Sequence, residues 1–177
     1  MIMENMDDMT VQPEVILGLG SNMGDRLTYL EYSIGQLEKN AGKIVARSSV
    51  WETEPWGFEA EDMFLNMAVI LETTLEPKEL LSVISSLEKS MGRKRRKSPE
   101  YQSRVIDIDI LLWGERIITL PGLLVPHPRI AQRRFVLEPL FEIAPEALHP
   151  VSRKTVKEML ALCADQSSVS VYRRLTK

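Results

Sequence analysis

The sequence predicts an α+β fold in which strands and helices follow the order strand, helix, strand, strand, helix, strand. Three observations carry this expectation. Two long stretches repeat apolar residues every three to four positions, short apolar or alternating runs lie between them, and Gly, Pro and Asn punctuate the joins.

Val15 to Gly20 (VILGLG) is a short apolar run closed by Gly and Ser-Asn, the pattern of a buried strand. Leu27, Leu30, Ile34 and Leu37 then mark one helical face, with Asp25 positioned to cap it and an end near Gly42. Lys43 to Thr53 reads as one strand with Ile44, Ala46, Ser48 and Val50 on one face. Phe64 to Thr73 is a more apolar strand. Pro77 suits a first helical residue, and Leu80, Leu81, Ile84, Leu87 and Met91 form the next apolar face before Gly92 stops it. Val105 to Trp113 is a strand and Arg116 to Leu120 a shorter one, while residues 130–142 and 154–163 are helical. This is the ferredoxin-like βαββαβ arrangement: one sheet with two helices on one face, plus extra C-terminal helical segments. Residues 14–165 are expected to form a single domain, residues 1–13 a disordered tail, and residues 166–177 an extension that adds a strand or dangles. The fold by itself leaves the chemistry open.

At 177 residues and 44% hydrophobic, the chain is long enough for one ordinary core. The formal charge of −3 argues against a strongly basic nucleic-acid binder. Cys163 is the only cysteine, which excludes a disulfide framework and any multi-cysteine metal site. No apolar run approaches the roughly 20 residues that span a bilayer. Residues 1–13 lack a secretory pattern, so a cytoplasmic location is expected. The charge is unevenly spread. Glu4, Asp7 and Asp8 in the tail account for the whole −3. Residues 51–62 carry five acids and no base, and residues 93–104 carry six bases and one acid. Such runs are commonly solvated faces.

The strongest chemical signal is Asp107-Ile108-Asp109 inside an apolar strand. Alternation points both carboxylates to one face, roughly 7 Å apart at Cα. Aspartate is depleted in strands, so two on one face favour a cation site over a wet edge. Oxygen ligands of this kind suit Mg²⁺, which binds one or two carboxylates together with substrate phosphates. Arg93, Arg95 and Arg104 approach that strand, and guanidinium forks match phosphate oxygens. Carboxylates and arginines together describe a nucleoside triphosphate site built from side chains. The glycine loop GLGSNMGDR has neither dinucleotide nor P-loop spacing and reads as a strand-to-helix turn. His127, bracketed by Pro126 and Pro128, suits a phosphate contact or a structural role; His149 and Cys163 read as structural. Trp56 and Phe58, with Phe64 and Asn66 downstream, either stack a flat heterocycle or anchor a loop.

Taken together these residues resemble the 6-hydroxymethyl-7,8-dihydropterin pyrophosphokinase family of folate biosynthesis. The matching pieces are LGSN (Leu19 to Asn22), T-x-P-x-G (Thr53 to Gly57), FLN (Phe64 to Asn66), MGR (Met91 to Arg93), R-x-x-D-x-D (Arg104 to Asp109), VPHP (Val125 to Pro128) and R-x-F (Arg133 to Phe135). The resemblance implies transfer of pyrophosphate from ATP to the hydroxymethyl oxygen of the pterin, releasing AMP. It implies two Mg²⁺ ions on Asp107 and Asp109, with Arg93 and Arg104 joining them as catalytic residues. It implies ATP contacts at Glu88, Arg93, Arg95, Arg104, Ile110 (through its backbone), His127 and Arg133. It also implies a pterin slot of Gly20, Thr53, Glu54, Pro55, Trp56, Phe64, Asn66 and Phe135. The implied partners are these two small substrates, with no nucleic acid and no membrane. The sequence departs from the family pattern where Tyr101, Gln102 and Ser103 replace a frequent Trp-Gly-Pro, in a loop one residue longer. Glu54 stands where some members have proline, and Phe64 where some have tyrosine. Two other classes compete: a non-catalytic ligand-binding module, and an RNA-binding sheet, which lacks the exposed aromatics it needs.

Overall fold

The computed structural model describes residues 14–56, 62–92 and 103–174. The expected tail at 1–13, residues 57–61 of the acidic segment, residues 93–102 of the basic segment and the last three residues lie outside the described residues.

The first strand, β1 (Glu14–Ser21), is nearly continuously buried because both its faces are covered. A turn through Gly24 leads into α1 (Arg26–Asn40), where Asp25 Oδ1 accepts the Thr28 N–H at 3.2 Å. At Gly42 (φ +150°) a side chain would press within 2.1 Å of the Glu72 carbonyl, so the exit toward β2 (Lys43–Arg47) requires glycine. Beyond β2 come β3 (Val50–Thr53), β4 (Phe64–Glu72) and α2 (Pro77–Ser90). The first turn of α2 is closed by Glu79, whose carboxylate accepts the Glu76 N–H at 2.8 Å. Then follow β5 (Asp107–Trp113), a hairpin of β6 (Ile118–Leu120) and β7 (Leu123–Val125), a 3-10 turn at Ile130–Gln132, α3 (Arg134–Ile143), α4 (Val156–Leu162) and β8 (Val169–Arg173).

The main sheet runs β5-β1-β4-β3-β8, with β2 also paired along β4, and its ladders are antiparallel. With β2 and β3 as one interrupted strand, this is the ferredoxin-like order that the sequence predicts. One face carries α1 and α2: Leu30, Ile34, Leu37, Leu80 and Ile84 pack on Val15, Leu17, Leu19, Leu65 and Ile108. The C-terminal helices cover the opposite face, where Leu137, Leu140, Val156 and Met159 pack on Ile16, Ile70, Leu111 and Leu112. The sheet is therefore sandwiched, which accounts for helical segments that a two-helix layer leaves over. Cys163 caps α4 and packs against this second core, as its apolar neighbourhood suggests.

Several boundaries differ from the sequence reading. The strand expected over Lys43 to Thr53 is two strands. A bulge between Ile44 and Ala46 reverses the alternation, so Ile44 joins the α1/α2 core while Ala46 joins the α3/α4 core. The chain then breaks at Ser48 and Ser49. There Glu142 of α3 accepts the Ser49 N–H at 3.0 Å, the Ser49 hydroxyl at 2.8 Å and the Trp51 indole N–H at 3.1 Å. Polar groups freed from the ladder are thus satisfied by a side chain more than ninety positions away, which no local pattern announces. Met91 lies past the end of α2 as its cap. The strand begins at Asp107 rather than Val105, and the first C-terminal helix starts only after the 3-10 turn. Residues 169–173 add an edge strand beside β3.

Glu142→Ala leaves the Ser49 and Trp51 donors to find other partners, so it is expected to cost about 1–2 kcal/mol in urea unfolding. An unchanged midpoint would show that the break needs no clamp.

Candidate active site

The alternation of β5 builds the centre of the site. Ile106, Ile108 and Ile110 turn into the α1/α2 core, and Asp107 and Asp109 turn to the opposite face, as the sequence predicts. Across the ladder Asp109 stands opposite Gly18 and Asp107 opposite Gly20. A bulge at Ile16/Leu17 then puts Leu111 and Leu112 on the same side of the sheet. Ile108 donates its N–H to Glu88 Oε1 at 3.0 Å, away from β1. By strand parity the backbone groups of Ile110 also face away from β1. Glu88 is almost fully buried and does not line the groove described below.

Two cavities meet at these carboxylates. The first is a mostly apolar slot between the sheet and the start of α3, lined by Gly20, Thr53, Glu54, Trp56, Phe64, Asn66 and Phe135. Every residue expected at the slot except Pro55 lies on its wall. Asn66 donates Nδ2–H to Thr53 Oγ1 at 2.7 Å, and a side chain at position 20 would sit 2.7 Å from Asn66 Oδ1. Glycine there is the condition for that amide to face the slot. Trp56 and Phe135 have ring centres 6.4 Å apart at 55°. The Arg133 guanidinium lies over both, 5.1 Å from the Trp56 centroid and 5.6 Å from that of Phe135.

The second cavity is a wider groove. Its walls are Leu81 and Ile84 of α2, the outer side of β5, and the β6–β7 hairpin from Leu120 to Leu124, with His127 and Arg129 at one end. Arg104, Asp107, Asp109 and Arg133 line both cavities. Arg104 pairs with Asp107, and Arg133 Nη1 lies 3.8 Å from Asp109 Oδ2. His127 Nε2 is 3.9 Å from the same oxygen. Arg93 and Arg95 lie outside the described residues.

These contacts set the protonation states. Loss of solvent, the adjacent Asp107 and the more distant Glu88 push the Asp109 carboxyl up to about 7, against the pull of Arg133 and Arg104. The side chain still keeps 40% of its surface open to the cavities, so the protein walls around the carboxylate, rather than full enclosure, remove its water. Desolvation and the charges of Arg133 and Arg129 push His127 down to about 4, so it is neutral at pH 7. Its Nδ1 accepts the Arg129 N–H at 3.2 Å, which leaves the ring proton on Nε2, facing the carboxylates.

One residue central to this geometry went unrecognised as such in the sequence. Asn22, 1% exposed, holds both backbone groups of Arg104: its N–H donates to the Arg104 carbonyl at 3.1 Å, and its Oδ1 accepts the Arg104 N–H at 2.7 Å. Its Nδ2 also donates to Ser103 Oγ at 3.0 Å. The asparagine at the end of β1 therefore positions the arginine that enters β5. A buried Asn directly after a strand was the available signal, and only its distant partner gives it meaning. His149 accepts the Ser152 N–H through Nδ1, a local structural role.

Known proteins resemble this chain in sequence and in fold. The family model for 7,8-dihydro-6-hydroxymethylpterin-pyrophosphokinase (HPPK) matches residues 16–145. The chain is 45% identical over 144 residues to the 2-amino-4-hydroxy-6-hydroxymethyldihydropteridine pyrophosphokinase of Aquifex aeolicus, covering 81% of this chain and 88% of that protein. It is 40% identical over 159 residues to the Bacillus subtilis protein of the same name, covering 89% of each. Among solved structures, a triple mutant of Plasmodium falciparum HPPK-DHPS superposes with a TM-score of 0.69 at 19% identity. That match takes in 88% of this chain but only 45% of the other, and it supports the fold alone. Matched over most of its length in sequence, the chain belongs to the 7,8-dihydro-6-hydroxymethylpterin pyrophosphokinase family.

Proposed function

We propose that this chain performs its family's reaction at the junction of the two cavities. That reaction moves pyrophosphate from ATP to the hydroxymethyl group of 6-hydroxymethyl-7,8-dihydropterin and releases AMP, a step in folate biosynthesis. One observation carries the assignment: a heterocycle-sized apolar slot and a wider groove share two carboxylates and two arginines, and only those. A transfer between two bound substrates needs such a common wall.

The pterin occupies the slot, its edge against the Thr53–Asn66 pair and its faces toward Trp56 and Phe135. The nucleotide lies along the groove, its base between Leu81, Ile84 and the hairpin, near the outward backbone of Ile110. Arg104 and Arg133 present guanidinium forks to the phosphates, and neutral His127 donates its Nε2–H there. Arg93 and Arg95 belong to the same set by resemblance. The donor set suits Mg²⁺, because Asp107 and Asp109 are hard oxygen ligands beside phosphate-binding cations. Among the described residues no group of three or more His, Cys, Asp or Glu could hold an ion, so phosphate oxygens and water would complete the coordination. When bound, two Mg²⁺ ions supply charge neutralisation on the triphosphate. The protein's own part is alignment: it holds the hydroxymethyl oxygen in line with the β-phosphorus. A bond forms between that oxygen and phosphorus as the α–β bridge breaks, AMP departs with the bridging oxygen, and the hydroxyl proton goes to water. No helix among the described residues is long and apolar enough to cross a membrane, which suits small dissolved substrates.

The direct test is AMP formation from ATP and the hydroxymethyl pterin, with and without Mg²⁺; binding without turnover would favour the non-catalytic module instead. Asp107→Ala and Asp109→Ala are each expected to lower turnover by at least about a hundredfold with the fold intact by circular dichroism. Near-normal AMP release from either variant in Mg²⁺ would overturn the metal assignment. A cation must displace the proton that Asp109 holds below about pH 7. Mg²⁺ affinity is therefore expected to rise between pH 6 and 8, with protons released on binding, and Asp109→Asn should flatten that rise. Calorimetry in buffers of different ionisation enthalpy measures both effects.

A further inference from the structure

Two walls of the slot come from separate parts of the chain, Glu54 to Trp56 after β3 and Phe135 at the start of α3. One short segment beyond α4 is bonded to both. Asp165 Oδ2 accepts the N–H of Arg134, the first residue of α3, at 3.0 Å. Its Oδ1 is held by the Ser167 N–H at 3.0 Å and by the Ser167 hydroxyl. Three residues after Asp165, Ser168 exchanges two bonds with Glu54: its N–H donates to Glu54 Oε2, and its carbonyl accepts the Glu54 N–H, both at 3.4 Å. The chain then enters β8, paired with β3 from Thr53 back to Val50. Further along β8, Tyr172 lies under Arg26, 5.8 Å from the guanidinium. Arg26 in turn bonds Glu52 Oε1 at 3.1 Å and the Met63 carbonyl at 2.7 Å, just before Phe64.

We infer that the segment from Asp165 to Ser168 is a brace that sets the spacing of the pterin slot, with Asp165 as a positioning residue for Phe135. The family match ends at residue 145, so this element lies beyond the part of the chain that the match describes. The physical reason is that both anchors are backbone groups at the ends of elements, where the ladder and the helix leave donors and acceptors open. A carboxylate on the first N–H of α3 fixes the turn that carries Arg133 and Phe135 on either side of Arg134. A second hydrogen-bonded pair, three positions further along the same chain, ties that turn to Glu54. The slot is thereby held at a defined width before substrate arrives, which lowers the ordering cost of binding.

The inference rests on the assignment of that cavity to the pterin. It is tested in the full chain with Asp165→Ala and with Asp165→Asn, which keeps one accepting oxygen. Asp165→Ala is expected to raise KM for the hydroxymethyl pterin on the order of tenfold while KM for ATP changes less than about twofold. Asp165→Asn is expected to recover most of that loss, to within roughly threefold of the parent. Amide exchange at Arg134 should accelerate in Asp165→Ala. A pterin KM within about twofold of the parent, or equal rises for both substrates that track a fall in Tm, overturns the brace. Asn66→Ala serves as the separate control: an unchanged pterin KM there sinks the slot assignment, whatever Asp165 does.

Discussion

Two carboxylates side by side on one strand face repel unless cations stand against them, and the surroundings of β5 answer that constraint. Arg104 meets Asp107 from the residues that lead into the strand, and Arg133 approaches Asp109 from the start of α3, on the face to which that carboxylate turns. Asn22 fixes the backbone of the first arginine, and the start of α3 fixes that of the second. His127 stays neutral chiefly because burial strips its water, with the same arginine adding to the effect, so it adds a directed donor without further charge. The balance is incomplete by design of the site. The Asp109 carboxyl is raised first by its loss of water and then by the charge of Asp107, and a bound cation would offset both.

The sheet can hold this charge at its surface because its two faces serve different ends. Under α1 and α2 the strands are packed with Leu, Ile and Val, together with Met67 and Trp113. Under α3 and α4 the packing covers Ile16, Ile70, Leu111 and Leu112, then gives way to Gly18, Gly20 and Ala68, where space opens into the slot. Small residues in place of large ones leave the volume that a flat heterocycle needs. The bulge on β5, where Leu111 is the extra residue opposite Ile16 and Leu17, permits the change, since it lets Leu111 and Leu112 both close the core while Asp107 and Asp109 keep strict alternation. Stability and function are thereby separated along a single strand.

Much of the site could be read from the sequence because its strongest signals are local. Asp107 and Asp109 share a face by strand period, and Arg104 lies three residues from its partner. The order of the remaining matches assigned Thr53, Trp56, Asn66, His127, Arg133 and Phe135 to one centre, and they do converge on the two cavities. Glu88 is not among the residues that line either cavity; its buried carboxylate accepts the Ile108 N–H. The break between β2 and β3, the clamp by Glu142 and the anchoring by Asn22 and Asp165 were not legible. Each depends on a partner 31 to 93 positions away, and nothing in a short window identifies it.

The sequence by itself determined the elements and their faces: periodic leucines make helices amphipathic, and alternation sends two aspartates away from three isoleucines. It also determined the charge pattern, in which an acidic tail accounts for the −3 while the rest of the chain is neutral overall. Only the tertiary structure decided where the strands interrupt, which side the last helices cover, and what the final strand pairs with. Those outcomes follow from pairing backbone groups that one element leaves unsatisfied with side chains from another. Such pairings are chosen by the packed chain as a whole, because their energy exists only once distant segments are already together.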